Sequence, residues 1–518
     1  MAPVAAALVL FAVLAALQSR LGAYAFDDAY IHFRIARHLA EHGHPYYNLG
    51  EAVMASSSTA WTIVLAAFFA LGGSASSVAL LEAAFTTLAV VVYTRLIAAA
   101  AGKAAVSWRE ALASFFIIVP SLMMAGGGLM ETPLAILLAG LAMLDFERGR
   151  PRAFAWLALA CFVRVELGAL GVALLVVALM QRRRLGPILA WGAAAALPFV
   201  LYDLYFFGTL IPNTIRAKQL GYSLSWQQSL DQVGPSVALG PASFPIAPGA
   251  ALLVGAMLLF AKPISWTARA SFATGCAILA VYIVSHGYVF DWYVPLFTVP
   301  ILWALAACLL SPALEPRALR ALAALALVIP LLPPVLRLPA FVAGAWRNPA
   351  LSPQFAGGAR TRQYIEVAEV LAKRYPGATL LSSEVGGLGW GFPGHIADGF
   401  GLVSPAAQKF HPMRVPEERL IGTLGAIPPG YVAEVRPELI VSYDMLAEAL
   451  QRSGVIRQYT LQSLPLFTEA DAAKAAQVGV PRMLWGVPMR LQVWVRNDVA
   501  AARGLPFSDK ALEPVSKP

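Results

Sequence analysis

The feature that most limits this chain is a succession of long apolar runs over its first 340 residues, broken by short loops that carry clusters of arginine. A helix that crosses a bilayer needs roughly 17–25 mostly apolar residues. The runs at 3–20, 77–97, 110–128, 132–147, 152–163, 167–180, 187–206, 248–262, 270–287, 293–310 and 320–338 approach or meet that length. Charged residues make up only 13% of the 518, against 59% hydrophobic, whereas a soluble domain carries about 25% charged residues. The expected architecture is therefore a polytopic α-helical membrane protein of about 11 transmembrane helices. The first run lacks an early Lys or Arg and a clear cleavage site, so it is expected to be a retained span.

The apolar run at 58–72 decides the topology, because counting it as a crossing reverses everything after it. If it does not cross, one set of loops holds Arg95, Lys103, Arg109, Arg148, Arg150, Arg152, Arg182, Arg183, Arg184, Lys262, Arg269, Arg317 and Arg320. The other set, before residue 340, holds only Arg20, Arg34, Arg37, Arg164, Arg216, Lys218 and Arg337. Cytoplasmic loops carry the excess of basic residues. This predicts a multi-pass protein of a bacterial inner (plasma) membrane, with a cytoplasmic N-terminus, a first outer loop over 21–76 and a long outer loop over 207–247. Residues 1–340 form the transmembrane domain and 341–518 an extracytoplasmic domain. In that tail the amphipathic stretch 362–374 and the β-like runs 378–383, 438–443 and 490–495 predict an α/β fold, with a frayed end after about 508.

Several functions are excluded at this level. The net charge of +9 sits in loop clusters rather than in a stripe, so no nucleic-acid partner is expected. Cys161, Cys276 and Cys308 all lie in apolar runs and offer no disulfide framework. There is no P-loop, no zinc-type spacing and no nucleophile elbow. No nucleotide cofactor is expected.

Five unusual polar segments share the outer face: 26–34, 126–133, 162–168, 206–218 and 286–295. Charges at membrane depth are costly and tend to face a cavity, so a shared outward-opening polar cavity is expected. Asp27 and Asp28 are the candidate catalytic residues. A general base must be an ionised carboxylate aimed at a hydroxyl, and adjacent residues point different ways, so one would act while the other orients a group or caps the helix beginning at Ala29. His32, Arg34, Arg37 and His38 follow, and Arg34, Arg37 and His38 share one helical face suited either to a lipid phosphate or merely to anionic headgroups. Glu131 opens a span after a Gly-rich turn and could simply favour that helix N-terminus. Arg164 and Glu166 are either a self-satisfying ion pair or a phosphate contact. Asn213, Lys218, His286, Asp291 and Tyr293 complete the substrate- or phosphate-binding candidates, and His286 alone is equally a solvated residue. If a divalent metal is used, Asp27, Asp28 and Glu131 are the residues that could hold it.

These residues carry a resemblance. FDDAYIHFRIARHLAEHGHPYYNLGE (26–51), GLMETP (128–133), FFGTLIPNT (206–214) and IADGFGLVS (396–404) resemble the GT-C superfamily of polytopic glycosyltransferases, most of all the mycobacterial terminal arabinofuranosyltransferase group and its bacterial relatives. VMASSSTAW (53–61) and Asp291-Trp292-Tyr293 depart from that group's pattern. The resemblance implies a GT-C-type glycosyltransferase. Its donor would be a polyprenyl-phosphate sugar, its acceptor a cell-envelope glycan, glycolipid or protein, and its donor phosphate would meet Arg34, Arg37, Arg164 or Lys218. An aspartate would deprotonate the acceptor hydroxyl in a direct displacement. The alternatives are a lipid or glycolipid transporter or flippase, or a non-catalytic lipid-binding scaffold.

Overall fold

The structure, a computed structural model, describes residues 2–126, 128–222, 224–238, 255–256, 264–311, 317–347, 349, 356–414, 426–465 and 490–502. Long apolar sequences form helices because a backbone within lipid can satisfy its N–H and C=O groups only inside its own segment. The first half of the chain runs α1 (Ala2–Leu21), α2 (Asp27–His42), α3 (Thr59–Ala70), α4 (Val78–Ala100), α5 (Trp108–Gly126), α6 (Thr132–Glu147), α7 (Ala153–Val163) and α8 (Gly168–Met180). It continues with α9 (Leu185–Phe207), α10 (Asn213–Tyr222), α11 (Trp226–Ala238), α12 (Trp266–Val284), α13 (Val294–Leu310) and α14 (Arg317–Arg347). Ten of the expected spans fall on these helices, and the remaining one, 248–262, lies outside the described residues. Among the described residues, six helices are by themselves long and apolar enough to cross a membrane. The boundary expected at 340 falls inside α14, which continues to Arg347.

Helix α3 does not cross. Its 12 residues rise only about 18 Å, but α7 and α8, which fall on two of the expected spans, are equally short, so it is the flanking helices that decide. A Cβ added to Gly22, just after α1, would lie 2.5 Å from the carbonyl oxygen of Ser76, just before α4. The chain thus leaves and re-enters the bundle at one face, as the arginine bias predicts.

The C-terminal unit begins with α15 (Ala356–Arg374), which lies against a sheet of the order β2-β1-β3-β5-β4 among the described residues. Here β1 is Leu380–Ser382, β2 Ile396–Asp398, β3 Leu439–Tyr443, β4 Tyr459–Pro465 and β5 Arg490–Arg496. Strand β1 runs parallel to β2 and β3, while β5 is antiparallel to both β3 and β4. The three expected β-like runs are β1, β3 and β5; β2 and β4 were not expected. The three residues of β2 are too few to show a period, and β4 reads YTLQSLP, with a terminal proline.

This unit shares its core with the outer loops of the bundle. Ile31 and Ile35 of α2, Tyr47 and Ala217 pack in one buried cluster with Tyr364, Leu371, Leu388 and Leu439. Arg34 is the polar centre of that junction. It donates to the carbonyls of Tyr47 (2.7 Å), Gly389, Phe392 (2.6 Å) and Gly394 (2.9 Å), with its side chain over the Tyr47 ring. A Cβ at Gly389 would lie 1.9 Å from the Tyr47 hydroxyl, so only glycine admits this approach. Asn48 extends the contact by bonding both the N–H and the C=O of Ile396 at the edge of β2. Replacing Arg34 leaves several buried carbonyls unmatched, each costing about 1–3 kcal/mol. Arg34→Gln is expected to lower the thermal midpoint and to speed amide exchange over residues 386–391; unchanged exchange there would show the clamp to be dispensable.

Candidate active site

The two aspartates sit at the first turn of α2, which starts one residue earlier than a cap by either of them requires. Phe26 occupies the cap position with extended backbone and no side-chain cap bond, which replaces the expectation of an Asp capping a helix at Ala29. Their side chains then part company. Asp27 turns to the C-terminal unit, where Oδ2 and Oδ1 accept the backbone N–H groups of Gly386 and Gly387, each at 2.8 Å. Those amides open a short helix, α16 (Gly386–Gly391), and a Cβ at Gly386 would lie 1.7 Å from the Asp27 carbonyl oxygen. Burial and the nearby Glu384 carboxylate push Asp27 up to about 7 despite the two amide bonds.

A carboxylate raised in the folded state holds a proton that the unfolded chain has lost, so stability falls as pH rises from about 4 through 7. Wild type is expected to lose thermal midpoint between pH 5 and pH 8 relative to Asp27→Asn. Taking that difference cancels the contributions of His32 and Asp398, which both proteins retain. Parallel curves for the two proteins would refute this.

Asp28 faces the other way. Its Oδ2 lies 3.2 Å from Nζ of Lys218 on α10, which also donates to the Tyr293 hydroxyl at 3.0 Å. Burial opposes the charge on Lys218, but the Tyr293 hydroxyl and the Asp28 carboxylate outweigh it and hold its pKa above the ordinary value. Beneath Tyr293 lies the guanidinium of Arg164, 4.1 Å from the ring centre. Arg164 binds Glu131 Oε1 at 2.7 Å and Glu166 Oε1 at 2.5 Å, and Tyr282 donates to the same Glu166 oxygen. His32 bonds Ser56 Oγ through Nδ1 at 3.0 Å, while its Nε2 stands 3.8 Å from Glu131 Oε2. Burial lowers the His32 pKa, against the opposing pull of the Glu131 carboxylate.

Seven candidates from all five of the expected outer segments, together with Ser56, therefore form one connected polar cluster. Helices α7 and α8, of 11 and 13 residues, rise only about 16 and 20 Å. The turn that joins them carries the Arg164–Glu166 pair, with Arg164 buried.

Other candidates lie elsewhere or are already engaged. Four of the five N–H groups of Arg34 are taken by carbonyls, so it holds the two parts of the chain together instead of meeting a phosphate. Arg37 lies over Trp390, 4.2 Å from the ring centre. Asn213 donates to the carbonyls of Gly401 and Leu402 and accepts from Gln408. Asp398 shapes that receiving loop by accepting the N–H groups of Phe400 and Val403. The Pro-Asn and D-x-x-G-L motifs are thus two halves of one joint. His286 bonds Ser229 and packs on Trp226, apart from the cluster. Asp291 is exposed. Among the described residues no three His, Cys, Asp or Glu side chains gather as a metal site. Asp27 is held by amides and Glu131 by Arg164, so the trio with Asp28 does not fit a metal.

Next to Asp28 lies a cavity of about 230 Å³ between the bundle and the C-terminal unit. The bundle contributes both Asp27 and Asp28 with Phe26, Tyr222, Tyr288, Phe290 and Trp292; the C-terminal unit contributes Arg360, Glu384, Phe400 and Leu402 among others. Phe290 stacks on Trp292 at 4.6 Å and Tyr222 on Tyr288 at 5.3 Å. Arg360 pairs with Glu384 at 2.7 Å, and Tyr364 donates to the other Glu384 oxygen. Apolar walls with a few converging polar groups are what small-molecule sites look like. Sequence reasoning missed this wall of the site. The glycine-dense run after Glu384, EVGGLGWGFPG, was the available signal, since such runs mark close backbone approach.

No family model matches the sequence, and no curated protein does. Among solved structures, the chain is similar to the arabinofuranosyltransferase AftD from Mycobacteria, with a TM-score of 0.50 and 16% identity over 94% of this chain and 40% of that one. This chain thus spans less than half of that protein's length. ArnT from Cupriavidus metallidurans, solved bound to undecaprenyl phosphate, aligns over 94% of this chain and 97% of its own, with a TM-score of 0.48 and 15% identity. The fold is thus similar to that of the arabinofuranosyltransferase AftD.

Proposed function

We propose that this protein transfers a sugar from a polyprenyl-phosphate donor to a cell-envelope acceptor at the outer face of the membrane, with Asp28 as general base. The observation that carries the reading is the division of labour in the aspartate pair: both border the aromatic cavity, but Asp27 has both carboxylate oxygens held by backbone amides, whereas Asp28 meets Lys218 through one oxygen. In the reaction, Asp28 takes the proton of an acceptor hydroxyl. The acceptor oxygen then bonds the anomeric carbon as the bond from that carbon to the phosphate oxygen breaks. Polyprenyl phosphate leaves with the electron pair, and the Lys218 ammonium stabilises the charge that develops there. Arg164, enclosed by Glu131 and Glu166, has no exposed face for a phosphate; its role is to hold the cluster beneath Tyr293.

The short α7 and α8 would set the cluster below the outer surface of the membrane, which suits a donor whose phosphate sits at the lipid boundary. The aromatic walls suit the apolar faces of a sugar ring, and Arg360 and Glu384 can bond its hydroxyls. The arginine-poor face that carries Asp28 and the C-terminal unit is the outer one by the positive-inside rule. The test is sugar transfer by the full chain in proteoliposomes, with a panel of polyprenyl-phosphate pentoses and hexoses. Transfer is expected with at least one donor, and Lys218→Met is expected to reduce it about 100-fold or more, the loss that follows removal of one group stabilising transition-state charge. Undiminished transfer in Lys218→Met would remove its assigned role. Absence of transfer with every donor and a full range of envelope acceptors would overturn the function.

A further inference from the structure

The membrane face opposite Asp28 holds a second cavity, of about 300 Å³, where α6 and α8 end and α7 and α9 begin. Its polar wall is Arg150, Arg183 and Arg184; its apolar wall includes Phe146, Phe154 and Ile188. Arg183 is held in place by its bond to the Phe146 carbonyl at 2.9 Å, by its bond to Gln181 and by its stacking over the Phe146 ring at 4.0 Å. Two of its five N–H groups are thereby used, leaving the rest available. Arg184 is exposed and occupies the cap position of α9, whose N-terminus has no side-chain cap.

The charge around this cavity is unbalanced. Arg148, Arg150, Arg152, Arg182, Arg183 and Arg184 stand in its two loops against Asp145 and Glu147. Asp145 is already filled by Arg150, Arg152 and Trp156. The uncapped first turn of α9 adds its own attraction for an anion. Beyond the rim, Leu189 and Trp191 are exposed on α9, so the cavity opens onto a surface built to meet lipid, with an aromatic at interfacial depth. A solvated basic loop would need neither the enclosed volume nor the apolar wall.

We infer that this cavity binds the phosphate head group of an anionic glycerophospholipid from the leaflet opposite the active site. Arg183 and Arg184 grip the phosphate, and the acyl chains run along α9. Basic pockets between spans recognise anionic head groups in this way, with each arginine contributing a several-fold gain in affinity.

The test is lipid binding to the full-length protein in detergent, followed by native mass spectrometry with dioleoyl phosphatidylglycerol and dioleoyl phosphatidylcholine as probes. Phosphatidylglycerol is expected to bind preferentially. Arg184→Gln, at an exposed position with little effect on folding, is expected to weaken it about five-fold, and the Arg183→Gln/Arg184→Gln pair on the order of twenty-fold or more. Phosphatidylcholine binding should not change. The pair Arg109→Gln/Arg317→Gln removes two charges from the same face outside the cavity and should leave phosphatidylglycerol binding intact. Equal loss in that control pair would reduce the effect to diffuse surface charge and overturn the site. So would failure of the wild type to distinguish the two lipids, or displacement of phosphatidylglycerol by an equal concentration of glycerol 3-phosphate.

Discussion

Asp28→Asn is expected to stop sugar transfer while leaving the protein folded and the donor bound. Removing a general base lowers a rate by typically 10²- to 10⁴-fold, and asparagine keeps the shape of the side chain while giving up its proton-accepting charge. Lys218 retains the Tyr293 hydroxyl as partner, so the cluster below does not collapse. Asp27→Asn is the informative comparison. Its side chain bonds Gly386 and Gly387, so this change should alter stability and its pH dependence more than the chemical step. Turnover measured in proteoliposomes, beside thermal midpoints, separates the two. If Asp27→Asn were the inactive variant and Asp28→Asn kept wild-type turnover, the roles assigned here would be reversed.

Arg164→Met is expected to be among the most damaging single changes to folding. Methionine fills similar volume but leaves Glu131 and Glu166 without their cation. Removing one partner of a buried ion pair costs about 3–5 kcal/mol, because the remaining charge is left uncompensated. Adding Glu131→Gln and Glu166→Gln to Arg164→Met should restore much of the folded yield, since a neutral set replaces a charged one. That triple variant should still transfer poorly if Arg164 orients Tyr293 and, through it, Lys218. Detergent-solubilised yield and thermal midpoint are the measurements. Full stability in the single variant would mean that the two carboxylates are not charged in the native state.

The pair of variants also shows how far local sequence could be read. The resemblance of 26–51, 206–214 and 396–404 to one family suggested a constellation of substrate ligands. In the structure part of that constellation is a joint between bundle and C-terminal unit: Arg34 on carbonyls of 389–394, Asn213 on Gly401 and Leu402, Asp27 on Gly386 and Gly387, with Asn48, which was not expected, on Ile396. Such joints and active sites draw on the same residue types, because both need directional hydrogen bonds in buried places. Residue type alone therefore did not separate Asp27 from Asp28, or Arg34 from Lys218. The composition change near 340 suggested a separable domain, yet Ile31, Ile35 and Ala217 help to complete its core. Cutting there would expose apolar surface on both sides.

What the sequence by itself determined is the part governed by one-dimensional physics. Spans follow from apolar length, the non-crossing of 58–72 from the arginine bias, and the gathering of the polar segments at one face from those two together. What only the tertiary structure decided is which of the gathered groups are already satisfied. Asp28 borders the cavity and meets Lys218, while Asp27, Arg34 and Asn213 are engaged by partners that lie far away in sequence, many of them backbone atoms. A carbonyl at 389 or an amide at 386 carries no residue-specific mark, so its claim on a side chain more than 350 positions earlier becomes visible only when the chain is folded.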